Sequence, residues 1–394
     1  MTIERLTEDM LRAYYDCRRN KTTKTDFARF EIRLEDNITT LALDVYNRKY
    51  EVSPSKAFVV NYPVKREIFA ADFRDRVIHH YIGLRIEPLI EKEFIEDSYN
   101  CRKGKGTNYG VERLTEGIRK VSNNWKESAW CLSLDIRGFF MSIDKDILFK
   151  KIKRLITREY RGKDEDILLY LLEKTIYNKP QENCVRVCSK LEWVGLKADK
   201  SLFSKRDNKG IAIGNLTSQL LANYYLSSVD KKMASKVGFY CRYVDDIRMI
   251  DKCKKRLKIA KTIIDKALKG LGLRLHSKKS KLIEVHKGVK FIGTIIMPYR
   301  TYITNRVVNK CANKIISNNM VMCENIQSLI ATINSYFGIF KHYRTYRIRE
   351  RMFALINNDY KKMFYGTKNL YSVKLNDKKK GEIFKWQEYQ LWAS

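Results

Sequence analysis

The chain has 394 residues, 44% of them hydrophobic, and carries 78 Lys and Arg against 45 Asp and Glu, a formal charge of +33. The hydrophobic share excludes a disordered tail, and the length leaves room for two or three packed units. A charge excess of this size repels itself in a compact state and answers a polyanion: nucleic acid first, an anionic membrane second.

In chain order, residues 4 to 50 read as mostly helical, ending near Asn47. Ala57 to Tyr62 reads as a short extended stretch, followed by a basic turn after Pro63 and a long helix through Val77 and His80. Trp130 to Ile136 is apolar and alternating, a strand pattern. Residues 145 to 178 are helical with a charged break at Arg161 to Glu165, and 180 to 212 are polar and irregular. Leu216 to Met233 is helical, and Phe239 to Val244 and Ile247 to Ile250 are two short strands around Asp245-Asp246, a hairpin. Residues 252 to 271 predict an amphipathic helix with Leu257, Ala260, Ile264, Ala267, Leu268 and Leu271 on its apolar face. Val289 to Ile296 reads as another strand, and the remainder as basic helix. With five prolines and no low-complexity linker, the chain reads as one continuous, interlocked body.

No run of about 18 apolar residues is present to span a bilayer. The start, Met1 to Asp9, is acidic and polar and does not read as a signal peptide. Nine scattered cysteines, an odd count, then predict reduced thiols in a cytoplasm. The close pair Cys184 and Cys188 has no second pair or histidine beside it, so zinc is not expected and any metal should be held by oxygen.

Asp135 ends one strand and Asp245-Asp246 sit at a hairpin tip. Three carboxylates from neighbouring strands suit phosphoryl transfer, where two divalent ions about 3.5–4 Å apart clamp the attacking and leaving oxygens. Magnesium prefers such hard oxygen ligands. A lone Asp-Asp is usually a solvated turn; order and company carry the signal here. Leu134-Asp-Ile-Arg-Gly-Phe-Phe-Met-Ser-Ile-Asp144 resembles motif A of bacterial reverse transcriptases, Gly214-Asn-Leu-Thr-Ser-Gln219 motif B, and Tyr243-Val-Asp-Asp246 motif C. His276 to Ser280 resembles motif D, and Gly288 to Gly293 the primer-grip motif E. Upstream, Pro63 to Arg76 and Ser98 to Thr107 resemble the family's fingers motifs.

The resemblance runs from about residue 5 to about residue 355 and implies an α+β right-hand polymerase. Residues 1–125 would form the fingers, with 180–212 returning to fingers or palm. Residues 126–298 would form a palm with an antiparallel sheet packed on helices, and 299–394 a helical thumb with a basic extension. It implies an RNA-directed DNA polymerase of the bacterial cytoplasm using two Mg2+ ions, with Mn2+ a possible substitute. Asp135, Asp245 and Asp246 would be catalytic, with these three and the Ile136 carbonyl holding metal, Asp246 the least directly. Lys65, Arg66, Phe140, Gln219 and Lys279 would bind the incoming dNTP. Phe140 would be a steric gate against the ribose 2′-hydroxyl, and Lys279 would lie near the pyrophosphate. Arg102, Lys103, Lys105, Tyr243, Phe291 and Gly293 would contact primer or template.

Blander readings stand beside these: Phe140 as a core aromatic, Lys65 and Arg66 as solvated or template-contacting cations, Gln219 as a polar helix residue, Phe291 as strand packing. Motif B is closest to diversity-generating retroelement enzymes, with antiphage defence reverse transcriptases near, whereas Arg248 and Ala212 depart from the retroelement pattern. The implied partners are a structured non-coding or template RNA, the cDNA or primer, dNTPs, and an accessory protein or second polymerase, with no membrane. The alternatives are an RNA-dependent RNA polymerase and a catalytically silent RNA-binding scaffold.

Overall fold

The computed structural model describes residues 1–19, 25–61, 64–205, 208–320 and 326–376. Pro63 of the fingers motif, Cys323 and the basic extension from residue 377 lie outside these. The described chain is α+β, as the motifs imply. Its residues divide into two compact units, one of Met1–Val121 with Ala129–Leu282, the other of Ser122–Ser128 with the chain from Ile283. The expectation of one interlocked body is corrected by this division, and residues 283–298, expected with the palm, belong to the second unit.

The first unit begins with helices Ile3–Arg18, Thr25–Ile32 and Leu34–Tyr46. Leu6, Met10, Ala13, Tyr14 and Cys17 recur at helical spacing and bury one face of the first, whose N-cap Thr2 accepts from the Arg5 amide. That face packs on helix Phe73–Glu91, which is buried on several sides and so shows little polar-apolar alternation in sequence. Strands β1 (Ser55–Val60) and β2 (Arg66–Ala70) pair antiparallel. The basic turn after Pro63 was expected to lead straight into helix; β2 intervenes because Ile68 and Phe69 find cover in this sheet.

Strand β3 (Trp130–Asp135) is followed by helices Lys145–Glu159 and Glu165–Tyr177, and then by β4 (Cys184–Arg186). β4 adds parallel to β1, so Cys184–Arg186, within the stretch expected to be irregular, joins the β2-β1-β4 sheet. Helices Leu216–Tyr225 and Ser227–Ala234 lead into β5 (Phe239–Tyr243) and β6 (Asp246–Asp251). Helix Lys254–Gly270 and the short strand β7 (Lys281–Glu284) follow. The expected apolar face of that helix buries Leu257, Ala260, Ile264 and Leu268. β5-β6-β3-β7 is a four-stranded sheet, and its β3–β6 register sets Asp135 opposite Asp246. No helix of the described residues is long and apolar enough to cross a membrane.

In the second unit, the expected strand at 289–296 is instead a hairpin of β8 (Val289–Phe291) and β9 (Thr294–Met297). Ile292 and Gly293 form its tip with φ of 41° and 79°, the two left-handed residues that a tight hairpin turn demands. β10 (Arg300–Ile303) completes the sheet. Helices Asn305–Met320, Ile326–Phe340 and Tyr346–Ala354 share a core around Ile333, Phe337 and Phe340, joined by a further hairpin, β11 (Phe364–Gly366) and β12 (Val373–Leu375).

One buried carboxylate ties the 190–202 segment to β2. Glu67 is fully buried and accepts from Trp193 Nε1, Ser201 Oγ and the Leu202 amide, each at 2.7 Å. Glu67→Ala strands three donors, at about 1–3 kcal/mol for each one left buried. Trypsin should then cut faster at Lys197 and Lys200; an unchanged digestion pattern would show that Glu67 is not the tether.

Candidate active site

Tyr243 pairs with Asp246 across the β5–β6 turn, leaving Val244 and Asp245 as its two loop residues. Val244 sits at φ 57°, a left-handed conformation that a β-branched residue adopts only under constraint, at about 1–3 kcal/mol. The constraint comes from Arg242, 1% exposed, whose guanidinium donates to the Val244 carbonyl at 3.0 Å. Arg242 is locked by the fully buried Asp230 (Nη2–Oδ2 2.5 Å) and reaches Ser98 Oγ and the Asn223 carbonyl, each at 3.2 Å. On the other side, the Ile136 amide donates to the Asp245 carbonyl at 3.2 Å, and the His276 amide to the Asp135 carbonyl at 2.8 Å. The three aspartates therefore meet where the ends of β3 and β6 and the 274–279 segment come together.

Charge is concentrated there and answered by two cations. Burial, then the charges of Asp135 and Asp246, push the Asp245 carboxyl up to about 6. Burial also raises Asp246, against the pull of Arg248. Lys279 Nζ lies on both Asp135 oxygens, at 3.0 and 2.9 Å. Arg248, 7% exposed, grips both oxygens of Asp246, with Nη2–Oδ2 at 3.1 Å. Among the described residues no three His, Cys, Asp or Glu side chains are grouped to hold a metal. The donors present are nonetheless all hard oxygens, and magnesium needs only one or two carboxylates when waters and substrate phosphates complete its shell. Lys279 stands on Asp135 where such an ion would bind. Ile136, buried and pinned by its amide, has only its carbonyl to offer.

Phe140 follows a reversal at Gly138, whose φ is 54° and where a Cβ would lie 2.5 Å from the Asp199 carbonyl. The Phe140 ring is half-buried, edge-on to Phe139 with centroids 5.5 Å apart, and its carbonyl accepts from the Ile211 amide at 3.0 Å. Gln219 lies in helix Leu216–Tyr225 and takes a hydrogen bond on Oε1 from the Cys101 thiol at 3.0 Å. Tyr243 is half-buried, with burial raising its phenol and Cys101 and Arg66 as its charged or ionisable neighbours. Gln219, Cys101, Tyr243 and exposed Arg66 thus form a second group, beside the hairpin.

Other residues expected at the substrate have partners within the chain. Lys65 Nζ donates to the Val194 carbonyl at 2.8 Å, holding the 190s segment. Arg102 was expected on primer or template; its guanidinium instead pairs with Glu91 (2.6 Å) and donates to the Ile95 and Ser98 carbonyls (2.7 and 2.6 Å). Lys105, expected on nucleic acid too, donates to the Glu96 carbonyl at 2.9 Å and pairs with its carboxylate at 2.8 Å. Both cations satisfy groups left open where the chain turns after helix Phe73–Glu91. Lys103 remains outward, 91% exposed. The Phe291 ring is buried in the second unit, so strand packing, its blander reading, is what the structure shows. Gly293 is the hairpin tip beside it.

Sequence reading passed over Arg242, Asp230 and Cys101. Arg242 had a signal: a cation inside an apolar strand requires a buried partner. Asp230→Ala should cost about 3–5 kcal/mol in urea unfolding, because it leaves Arg242 buried and unpaired; a loss under about 1 kcal/mol would mean that the pair does not hold the hairpin. Asp245 behaves oppositely. Its folded-state carboxyl titrates near 6, above its ordinary range, so above that pH its charge opposes folding. Metal-free protein should therefore gain stability from this group as pH falls from 7.5 towards 5. Asp245→Asn should stabilise the chain in EDTA by roughly 1–3 kcal/mol at pH 7.5, and by less at pH 5. Equal stability of variant and parent at both pH values would count against like-charge crowding at the tip.

The family described as reverse transcriptase (RNA-dependent DNA polymerase) matches residues 65–296. Protein YkfC of Escherichia coli (strain K12) is 22% identical over 275 residues, covering 60% of this chain. The chain spans 64% of that relative's length. Among solved structures, apo telomerase from Candida Tropicalis is similar with a TM-score of 0.49 at 11% identity, over 81% of this chain and 60% of that one. The form of it truncated from the C-terminal domain gives 0.45 at 13%, over 64% and 55%. The matched span begins at the basic turn before β2, ends in β9, and contains all three aspartates, and on it this chain belongs to the reverse transcriptase family.

Proposed function

We propose that the chain is an RNA-directed DNA polymerase that copies a dedicated structured RNA into cDNA. The observation that carries this is the meeting of Asp135, at the end of β3, with Asp245, in the β5–β6 loop whose carbonyl accepts from the Ile136 amide, inside the span that matches the family. In the reaction, the primer 3′-hydroxyl oxygen bonds to the α-phosphorus of a dNTP, the bond to pyrophosphate breaks, and the hydroxyl proton leaves to solvent. Divalent ions held by Asp135, Asp245 and the Ile136 carbonyl would lower the hydroxyl's pKa and steady the charge on the phosphate oxygens. Asp246, next to Asp245, is held by Arg248. Lys279, the exposed cation on Asp135, suits the departing pyrophosphate once released. Arg66, exposed beside Tyr243, suits the triphosphate, and Gln219 the nascent base pair.

The half-buried Phe140 ring, seated on Phe139 behind the Gly138 reversal, suits a wall against the sugar 2′-hydroxyl. The form of Gly214 to Gln219 favours a diversity-generating retroelement or antiphage defence programme, and the charge of +33 favours a large bound RNA. Extension of a DNA primer on an RNA template, with dNTP and NTP pools tested separately in Mg2+ and in Mn2+, tests the reading. Incorporation of dNTPs alone is expected. Incorporation of NTPs only would mean an RNA polymerase, and no incorporation in either ion would overturn both. Phe140→Ala should raise ribonucleotide incorporation at least about tenfold, since one steric contact of this kind is worth about 1.4 kcal/mol or more. An unchanged preference would remove Phe140 from this role.

A further inference from the structure

Arg248 stands out among the groups around the aspartates. It lies in β6 two residues after Asp246, on the same side of the strand, opposite Ser133 on β3 and Cys241 on β5. It is 7% exposed, so its guanidinium is held beneath the hairpin tip rather than offered to a substrate. One nitrogen donates to the Ile247 carbonyl at 2.9 Å and also to Asp246; the other meets the second Asp246 oxygen at 3.1 Å. Both carboxylate oxygens are thereby engaged by one planar, permanently charged group. Asp135 is different: its counter-ion is Lys279, 56% exposed and on a flexible stem that can swing away.

We propose that Arg248 is a positioning residue that withdraws Asp246 from the divalent-ion site, so that Asp135 and Asp245 alone supply its carboxylates. This rests on the reading of these aspartates as a metal site. The two counter-ions then divide the work. Lys279 is displaceable and keeps Asp135 neutralised until an ion arrives. Arg248 is not displaceable and turns Asp246 from a ligand into part of the hairpin's scaffold.

The test is Mn2+ binding to the full chain without nucleic acid, followed by electron paramagnetic resonance, with circular dichroism confirming the fold of each variant. Arg248→Met frees a carboxylate beside the other two and should tighten Mn2+ roughly tenfold or more, from one added charge at short range. A damaged fold does not produce tighter binding. Arg248→Lys keeps the charge and should stay near the parent. The double variant Asp246→Asn with Arg248→Met keeps the parent's net charge and leaves no buried ion unpaired. It should bind Mn2+ within about threefold of the parent, because no ligand has been lost. This variant also serves if Arg248→Met alone does not fold. Unchanged or weaker binding by folded Arg248→Met, tight binding that persists in the double variant, or loss of binding in the double variant would each overturn the proposal. Primer extension by the parent separates the two readings. Polymerisation without the Arg248→Met gain removes this inference only, whereas the gain without polymerisation removes the polymerase assignment and leaves Arg248 in place.

Discussion

The buried pair of Arg242 and Asp230 is the interaction on which the site depends. A buried ion pair adds little net stability, because desolvating both charges offsets most of their attraction. Its effect here is specificity. Arg242 carries five donors and spends them on Asp230, Ser98, the Asn223 carbonyl and the Val244 carbonyl. It therefore joins β5, helix Leu216–Tyr225, helix Ser227–Ala234 and the turn after helix Phe73–Glu91 at a single point. The left-handed Val244 is held by that point, and Asp245 is aimed by it. Tyr240 adds a hydroxyl to the same carboxylate at 2.7 Å.

The same hairpin tip concentrates negative charge that the fold must tolerate. Asp245 is buried near two other carboxylates, and its raised titration reports that cost. The surrounding structure meets the strain with cations of two kinds. Arg248 is enclosed beside Asp246, and Lys279 is exposed and reaches Asp135 from the solvent side. A site that held itself together too well would have no affinity left for a divalent ion. The remaining unscreened charge, centred on Asp245, is what such an ion would meet.

The fingers-type loop at 98–107 shows how a basic composition misleads at the level of single residues. Arg102 and Lys105 sit among glycines in a protein of charge +33, and a phosphate contact is the natural expectation. Both also donate to carbonyls of the turn that follows helix Phe73–Glu91 and pair with Glu91 and Glu96. A carbonyl without a partner is invisible in sequence, because its need appears only when the chain turns back on itself. Phe291 misleads for a related reason. Its neighbours in sequence read as one continuous strand, whereas the left-handed Ile292 and Gly293 fold that stretch into a hairpin, and the ring is buried.

The sequence by itself determined the parts that carry the candidate site: the strand ending in Asp135, the hairpin around Asp245-Asp246, and the amphipathic helix after residue 252. These are local patterns, set by strand alternation, turn residues and helical spacing, and they need no knowledge of distant neighbours. Tertiary structure decided which oxygen each charge faces. Arg248 was legible only as a departure from a pattern, and Lys279 only as one of several lysines. Their partners, Asp246 and Asp135, are assigned by the β3–β6 register and by the return of the 274–279 segment alongside β3. Electrostatic pairing acts over a few ångströms in space and is indifferent to separation along the chain, so the separation of 144 positions between Asp135 and Lys279 concealed the contact that most sharply defines the site.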